Sequence, residues 1–349
     1  MSKPINLKAI KIYNDLNKKP SFEKKKVEGF NIELVHEALS RNSNDTITIW
    51  FKLQQTWCNN AYSTFKDYDT YLILVFLVKQ IFQKYADRFQ YLSYEEFYSK
   101  KELNIEKINL SEISKYLNIP KETIRRKVNF LQDRNIIFRK GKSIFFSNAI
   151  NELQRPSKSK SIMAGFLEKT SKILAKESWF GRSYNKEEIE AFIDKYFTIC
   201  WQHWFRLQIP YLIRHREFFG DLEVWNIWGS IGIAQFIDYS RKVKDRVIED
   251  PRTYADLYLD LLRHVPKNGI NASSISEISK IPRATVIRKL KYLLKQKLVV
   301  KNKKLEYMLL PSPKNIKSFE LNYMQNQKHK SVFVSTIFDL MKNSSFKIV

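Results

Sequence analysis

Two basic stretches of the chain carry side chains suited to contacting the base edges and phosphates of DNA. Arginine can bond guanine through two parallel hydrogen bonds, lysine and threonine commonly hold phosphates, and small apolar side chains contact thymine methyl groups. Such residues cluster at the start and on the outward face of two short amphipathic segments. The candidates are Lys121, Glu122, Thr123, Arg125, Arg126 and Asn129 in the first stretch, and Arg283, Ala284, Thr285, Ile287, Arg288 and Lys291 in the second.

A second group of cations follows each segment in what the sequence predicts to be a β-hairpin. Gly141 supplies the positive φ that a tight hairpin needs in the first stretch. The predicted role of these cations is contact with phosphates or with the minor groove. They are Arg139, Lys140 and Lys142 in the first hairpin, and Lys301, Lys303 and Lys304 in the second.

Hydrophobic spacing predicts the elements that hold these residues. Over residues 272–304 it predicts a short helix, a turn at Ile281-Pro282, a second helix from about Arg283 and a strand at Val299-Val300. A residue before proline avoids the helical region, and proline suits the first position of a helix. Residues 279–305 contain ten Lys or Arg and no Asp or Glu. A basic helix of this kind fits the major groove.

The order IP-R-A-T-V-x-R-K-L-x-x-L, a Val-Val strand, a basic turn and a second strand resembles the winged helix-turn-helix superfamily of bacterial regulators, of the MarR and IclR type. The resemblance covers this module alone, which is a small part of the chain. It implies a DNA-binding module in which the second helix reads the major groove and the hairpin, or wing, contacts the backbone.

The same module occurs earlier in the chain, over residues 110–146. The two copies align without a gap, with Ile119-Pro120 on Ile281-Pro282 and the hairpin cations in the same register. Upstream, WFKLQ at Trp50 recurs as WFRLQ at Trp204, at a smaller offset. A fixed-period repeat is typical of an internal duplication, and the change of offset predicts a short insertion in the second copy, around positions 243–251.

The repeat predicts a mainly α fold built from two tandem pseudosymmetric units, each a set of helices ending in a winged helix-turn-helix. Helices are expected over about 46–63, from Asp67 to about 85, and over 94–101. The chain is predicted to begin with a basic arm (1–30), followed by a first unit over 31–150 whose winged helix covers about 94–147. A linker over 151–184, with a bridging helix over 161–177, leads to a second unit over 185–312 whose winged helix covers about 253–311. A polar tail over 313–349 contains one helix, over 331–341.

The amino-acid composition indicates which classes of binding partner to expect. The formal net charge is +25 over 349 residues, with a pI near 9.7, which favours nucleic acid or an anionic membrane surface. The apolar run 71–78 is too short to span a bilayer, and the N-terminus lacks the apolar core of a secretory signal. The chain has two cysteines that lie far apart in sequence, so we do not expect a disulfide framework. We therefore expect a cytoplasmic, nucleoid-associated protein without a membrane partner.

Other motifs point to the core rather than to a site. The repeated WF[KR]LQ motif and the aromatic cluster Trp201, Trp204, Tyr211, Trp225 and Trp228 fit a hydrophobic centre better than an effector pocket. Cys200-x-x-His203 has metal-like spacing without a second ligand pair. No glycine-rich phosphate loop, GxSxG or HExxH motif is present, so we predict neither an enzyme nor a cofactor.

These features predict a sequence-specific regulator of transcription that binds double-stranded DNA with two unlike modules. Two alternatives remain open: a plasmid-type replication initiator, which also carries tandem winged helices, and a structural, chromosome-associated protein whose winged helices bind other proteins. The sequence leaves open whether the chain forms a homodimer and whether it binds a small effector.

Overall fold

The computed structural model describes residues 30–100, 103–105, 109–140, 143–147, 157–242, 254–264, 266 and 269–344. Within these residues the protein is mainly helical, with two small antiparallel sheets. The predicted mainly α class is confirmed. The basic arm up to residue 29, the wing-tip residues Gly141 and Lys142, and the predicted insertion at 243–251 lie outside the described residues.

Side-chain caps define several of the helix starts in the first half, residues 30–174. Asn31 accepts from the backbone N–H groups of Glu33 and Leu34, and Ser93 and Asn109 form reciprocal capping boxes with Glu96 and Glu112. The helices are α1 (Ile32–Arg41), α2 (Ser43–Phe65), α3 (Tyr68–Asp87), α4 (Tyr94–Ser99), α5 (Leu110–Leu117), α6 (Lys121–Asp133) and α7 (Ser157–Leu174).

The second half, residues 184–344, contains helices in a similar order. The first two helices of one half have the same lengths as the first two of the other, and both pairs are separated by the same number of residues along the chain. The two helices that flank the Ile-Pro turn also have the same lengths in both halves, and these pairs are separated by a second, larger number of residues. The helices are α8 (Lys186–Lys195), α9 (Phe197–Phe219), α10 (Leu222–Lys242), α11 (Tyr254–Arg263), α12 (Ala272–Ser279), α13 (Arg283–Lys295) and α14 (Pro313–Asn343).

A small sheet accompanies each of the helix pairs α5–α6 and α12–α13. In the first half, strands β1 (Leu103–Ile105), β2 (Ile137–Lys140) and β3 (Ser143–Phe146) form an antiparallel sheet in the order β1-β3-β2. In the second half, β4 (Val299–Lys301) pairs with β5 (Tyr307–Leu309), and a single bridge from Ile270 to Tyr307 occupies the place of β1. Each hairpin thus directly follows the second helix of its segment.

The long helices of the two halves pack on each other reciprocally. Helix α2 packs along α10, and its counterpart α9 packs along α3. Helix α7 packs on α8, and its counterpart α14 packs on α1. The buried side chains accordingly form one continuous core that crosses from half to half.

Equivalent residues meet where α2 and α9 cross. The amide of Gln54 donates to the side-chain oxygen of Gln208 at 3.0 Å, and Gln208 donates back to Gln54 at 2.9 Å. Both residues are buried, and both belong to the repeated WF[KR]LQ motif. The rings of Trp50 and Trp204, which occupy equivalent positions of the motif, lie 6.3 Å from each other. The motif is therefore part of the core, as predicted.

Two predicted segments differ from the structure. The bridging helix begins at Ser157, inside the stretch expected to be an irregular linker. The segment expected to be a polar tail is the 31-residue helix α14, with Phe319, Tyr323 and Phe338 buried. Polar residues on its buried face, including Gln327, Lys330 and Ser335, disguise the apolar periodicity.

Candidate nucleic-acid interface

The inner faces of α6 and α13 set how each helix is rotated. Ile124, Val128 and Leu131 of α6 are buried, as are Val286, Leu290 and Leu293 of α13. These apolar residues recur at helical spacing, so one face of each helix is anchored while the opposite face is left to solvent. Helix α6 packs on α3, and α13 packs on α10.

A repeated ion pair fixes each of these contacts. Lys127 of α6 lies 2.9 Å from Asp67, the N-cap of α3. Lys289 of α13 pairs with Asp221 and lies 3.4 Å from Glu223. Burial opposes ionisation of Asp67, but hydrogen bonds from Thr70 and Lys127 hold its pKa below the usual value. The two lysines are therefore anchors for the helices.

Asp67 and Asp221 each have a second role besides the ion pair. Both do cap helices, since Asp67 accepts from the N–H of Thr70 and Asp221 from that of Val224 at 2.8 Å. Their partners Lys127 and Lys289 also occupy equivalent positions in the two copies. The joint recurrence of an acid and a base could therefore have indicated the ion pair from the sequence.

The outer faces of α6 and α13 hold the predicted base-reading residues. Thr123, Thr285 and Ile287 are half-buried, so only part of each side chain is available to a ligand. The remaining candidates are exposed: Lys121, Glu122, Arg125, Arg126 and Asn129 on α6, and Arg283, Ala284, Arg288 and Lys291 on α13.

The two outer faces differ in one internal contact. On α6 the guanidinium of Arg125 donates to both oxygens of Glu122, at 2.6 and 2.9 Å, and this contact lowers the pKa of Glu122. The equivalent positions of α13 hold Ala284 and Ile287, which cannot form this pair. Helix α6 therefore presents a partly neutralised face, and α13 presents an uncompensated cationic one.

The hairpins carry further exposed cations. Arg139 and Lys140 are exposed on β2, and the Lys140 amine lies 5.2 and 5.1 Å from the ring centroids of Phe138 and Phe145. Lys142 lies outside the described residues.

In the second hairpin Lys301, Lys303 and Lys304 are exposed. The side chain of Asn302 organises the turn, because it accepts from the N–H groups of Lys304 and Glu306 at 3.0 and 2.9 Å.

Each of the helix pairs α5–α6 and α12–α13 is held by contacts from the opposite half. Arg216 at the end of α9 lies 2.9 Å from Asp69 and donates to the carbonyl oxygen of Asn118, in the turn between α5 and α6. In the other direction Asn59 of α2 donates to the carbonyl oxygen of Ile278, at the end of α12, at 2.6 Å. These positioning contacts were not predicted, because the pairing of the halves is not visible in either copy alone.

The other candidates of the sequence lie inside the protein. The aromatic cluster from Trp201 to Trp228 is buried, as predicted. Cys58 and Cys200 are free, buried thiols. Desolvation, aided by the nearby charge of Arg206, lowers the pKa of His203 to about 4. Among the described residues no group of three His, Cys, Asp or Glu is placed to hold a metal ion.

In comparisons with known proteins, no family model, no curated protein and no solved structure matches this chain. In the part of the chain that the structure describes, none of the helices has the length and apolar character needed to cross a membrane.

Proposed function

We propose that the protein binds double-stranded DNA in a sequence-specific way and regulates transcription, with α6 and α13 as its recognition helices. The observation that carries the proposal is the combination of an anchored apolar inner face and an exposed cationic outer face on both helices. A helix of this kind is the element that enters the major groove in helix-turn-helix proteins.

The surrounding elements support a winged helix-turn-helix assignment. A short helix, a turn and a second helix precede a hairpin, and in the first half an earlier strand, β1, pairs with the second strand of that hairpin, β3. In such modules the hairpin approaches the DNA backbone beside the recognition helix. The exposed cations Arg139, Lys140, Lys301, Lys303 and Lys304 then contact phosphates or the minor groove.

The arrangement of the halves supports a duplication that acts as a fused dimer. Constant offsets between equivalent helices, reciprocal packing of α2 on α10 and of α9 on α3, and the reciprocal Gln54–Gln208 bonds are the expected consequences of a pseudo-twofold axis. Twofold proteins read two half-sites related by the same symmetry. Because the outer faces of α6 and α13 differ, the favoured site is an imperfect inverted repeat.

The contribution of the two helices is unequal. On α6, Arg125 must leave Glu122, or bring that carboxylate close to the DNA, before it can reach a base. Arg288 and Lys291 of α13 have no ion pair within the described part of the chain. Helix α13 therefore contributes the greater share of specific affinity.

Selection of genomic fragments by the purified protein tests the proposal. At near-physiological salt and with excess nonspecific competitor, we expect a composite motif with two unlike halves. Arg288→Ala should relax one half by about 1–3 kcal/mol at the base that the arginine reads, and Arg126→Ala should relax only the other half. Lys328→Ala, which removes an exposed cation of α14, is the control and should leave the motif unchanged.

The outcome also separates the alternatives. A motif recovered beside promoters supports a regulator, whereas clustered motifs at an origin support a replication initiator. Absence of any motif, with binding that disappears at moderate salt and an unchanged phenotype for Arg126→Ala and Arg288→Ala, contradicts specific readout. That result supports winged helices that bind other proteins.

A further inference from the structure

The tip of the second hairpin carries an exposed leucine. Leu305 follows Lys303 and Lys304 in the loop that connects β4 to β5, and it is 62% exposed. Asn302 and Glu306 close the loop around these three residues, since the backbone N–H of Asn302 donates to the carbonyl oxygen of Glu306 at 2.9 Å. The leucine is therefore presented to solvent by the turn and is not part of the core.

The backbone at Leu305 lies in the left-handed region, with φ +63°. The last residue of a three-residue hairpin loop commonly has this conformation, and glycine adopts it without steric cost. A leucine is strained there, and its exposed side chain recovers little through burial. Backbone strain that is kept in this way is typical of functional sites. The leucine therefore has a use outside the folded chain.

Hydrogen bonds hold this loop in one shape. The side-chain oxygen of Asn302 accepts from the N–H groups of Lys304 and Glu306, and the N–H of Leu305 donates to the carbonyl oxygen of Asn302 at 3.1 Å. The carboxylate of Glu306 accepts from the side-chain amide of Asn302 at 2.8 Å and from the N–H of Gly269 at 3.2 Å. The leucine is thus carried by a preorganised loop.

The charges at the tip indicate the partner of this side chain. Lys301, Lys303 and Lys304 are exposed, whereas the nearby carboxylate of Glu306 is engaged by hydrogen bonds within the protein. Proteins that bend DNA from its minor groove combine such cations, which contact the backbone, with an apolar side chain that enters between base pairs. Leucine is one of the residues used in this way.

We propose that Leu305 is a wedge that enters the minor groove beside the α13 half-site and inserts between two base pairs, so that the duplex bends there. This inference rests on the proposed DNA binding. The favoured place is a pyrimidine–purine step such as TpA, because these steps unstack easily. The equivalent position of the first copy holds Ser143, a half-buried polar residue. The bend therefore lies on the α13 side of the site.

Fluorescence of 2-aminopurine tests the insertion, because this adenine analogue is quenched while it is stacked and brightens when it is unstacked. The probe is a short duplex of alternating A and T with the analogue at its TpA steps, at low salt so that phosphate contacts suffice for binding. Anisotropy of a dye at one end measures binding separately. We expect the fluorescence to rise as the full-length protein saturates this duplex. A dA·dT tract, which is stiff and has no such step, should show no rise.

Leu305→Gly separates insertion from folding. It removes the side chain and the backbone strain together, so the variant should be at least as stable as the wild type. It should still bind the duplex and should lose the fluorescence rise. Leu305→Met keeps an apolar side chain and should keep the rise. Leu321→Ala, at an exposed leucine of α14, is the matched control and should behave as the wild type does.

The two readouts separate this inference from the proposed function. If the wild type does not change the anisotropy, the protein does not bind DNA and both proposals fail. If it binds without a rise in fluorescence, or if Leu305→Gly gives the same rise, the wedge is overturned while DNA binding stands.

Discussion

At the scale of single residues, Lys66 and Gly220 occupy equivalent C-cap positions of α2 and α9 but meet the same backbone requirement differently. Both have positive φ, +53° and +83°. Glycine adopts this conformation without steric cost, whereas a side chain is strained there. Lys66→Gly should therefore stabilise the protein by about 0.5–1 kcal/mol in urea unfolding. Lys66→Ala, which keeps the strain, should give no such gain.

The converse change is Gly220→Ala. It should destabilise by about 1 kcal/mol, because the new Cβ is strained at this φ. The Cβ would also lie 3.2 Å from the hydroxyl oxygen of Tyr292. Equal stability of Gly220→Ala and the wild type would show that backbone strain does not matter at this cap.

The carboxylate of Asp67 gives the protein a defined response to acid. Its pKa is lower in the folded state, so it contributes stability above the unfolded value, near 3.9, and loses that contribution as pH falls through the folded value. We expect Asp67→Asn to be less stable than the wild type at pH 7 and to lose less stability between about pH 4 and pH 2. Denaturant unfolding at both pH values measures this. Asp45→Asn, at an exposed carboxylate, should follow the wild type.

At the scale of elements, two lysines on α13 have opposite roles. Lys289 faces inward to Asp221 and Glu223, and Lys291 is exposed. Lys289→Met should lower the free energy of unfolding by about 1 kcal/mol, because it leaves two neighbouring carboxylates uncompensated. Lys291→Met should leave stability unchanged and, if the protein binds DNA as proposed, reduce the salt dependence of that binding by about one phosphate contact. Urea unfolding measures the stability of both variants, and a salt titration measures their DNA binding. If Lys291→Met lost stability and Lys289→Met did not, the assigned orientation of α13 would be wrong.

The sequence predicted those features that depend on interactions between residues close together in the chain. Asp67 indicated the start of its helix, and the Ile-Pro pairs placed the turns before α6 and α13, because caps and proline act within a few residues. Lys127 and Lys289 could be recognised as basic but not as inward-facing, because their partners lie on a different helix. Only part of helix α14 was predicted, because polar residues on its buried face interrupt the apolar pattern. The contacts that allow these residues to be buried exist only in the folded core.

At the scale of the whole molecule, Gln54 and Gln208 connect the two halves through a pair of reciprocal hydrogen bonds. Gln54→Met or Gln208→Met alone leaves the facing amide buried without its partner and should cost about 1–3 kcal/mol. The double variant should cost clearly less than the sum of the two, since both polar groups are then absent. A double-mutant cycle from urea unfolding gives the coupling, and simple additivity would show that the two amides do not depend on each other.

The contact between α14 and α1 has a consequence for the order of the chain. Asp339 accepts a 2.6 Å hydrogen bond from the backbone N–H of Phe30, and Ser335 donates to the carbonyl oxygen of Phe30. This contact is the counterpart of the one between α7 and α8, which the chain connects covalently. A circular permutant that joins Asn343 to Phe30 through a short linker and opens the chain between residues 147 and 157 would keep every helix contact. Neither half is therefore required to come first in the chain. In the proposed DNA complex, the orientation of the protein on its site would depend on the side chains of α6 and α13 and not on which helix is synthesised first.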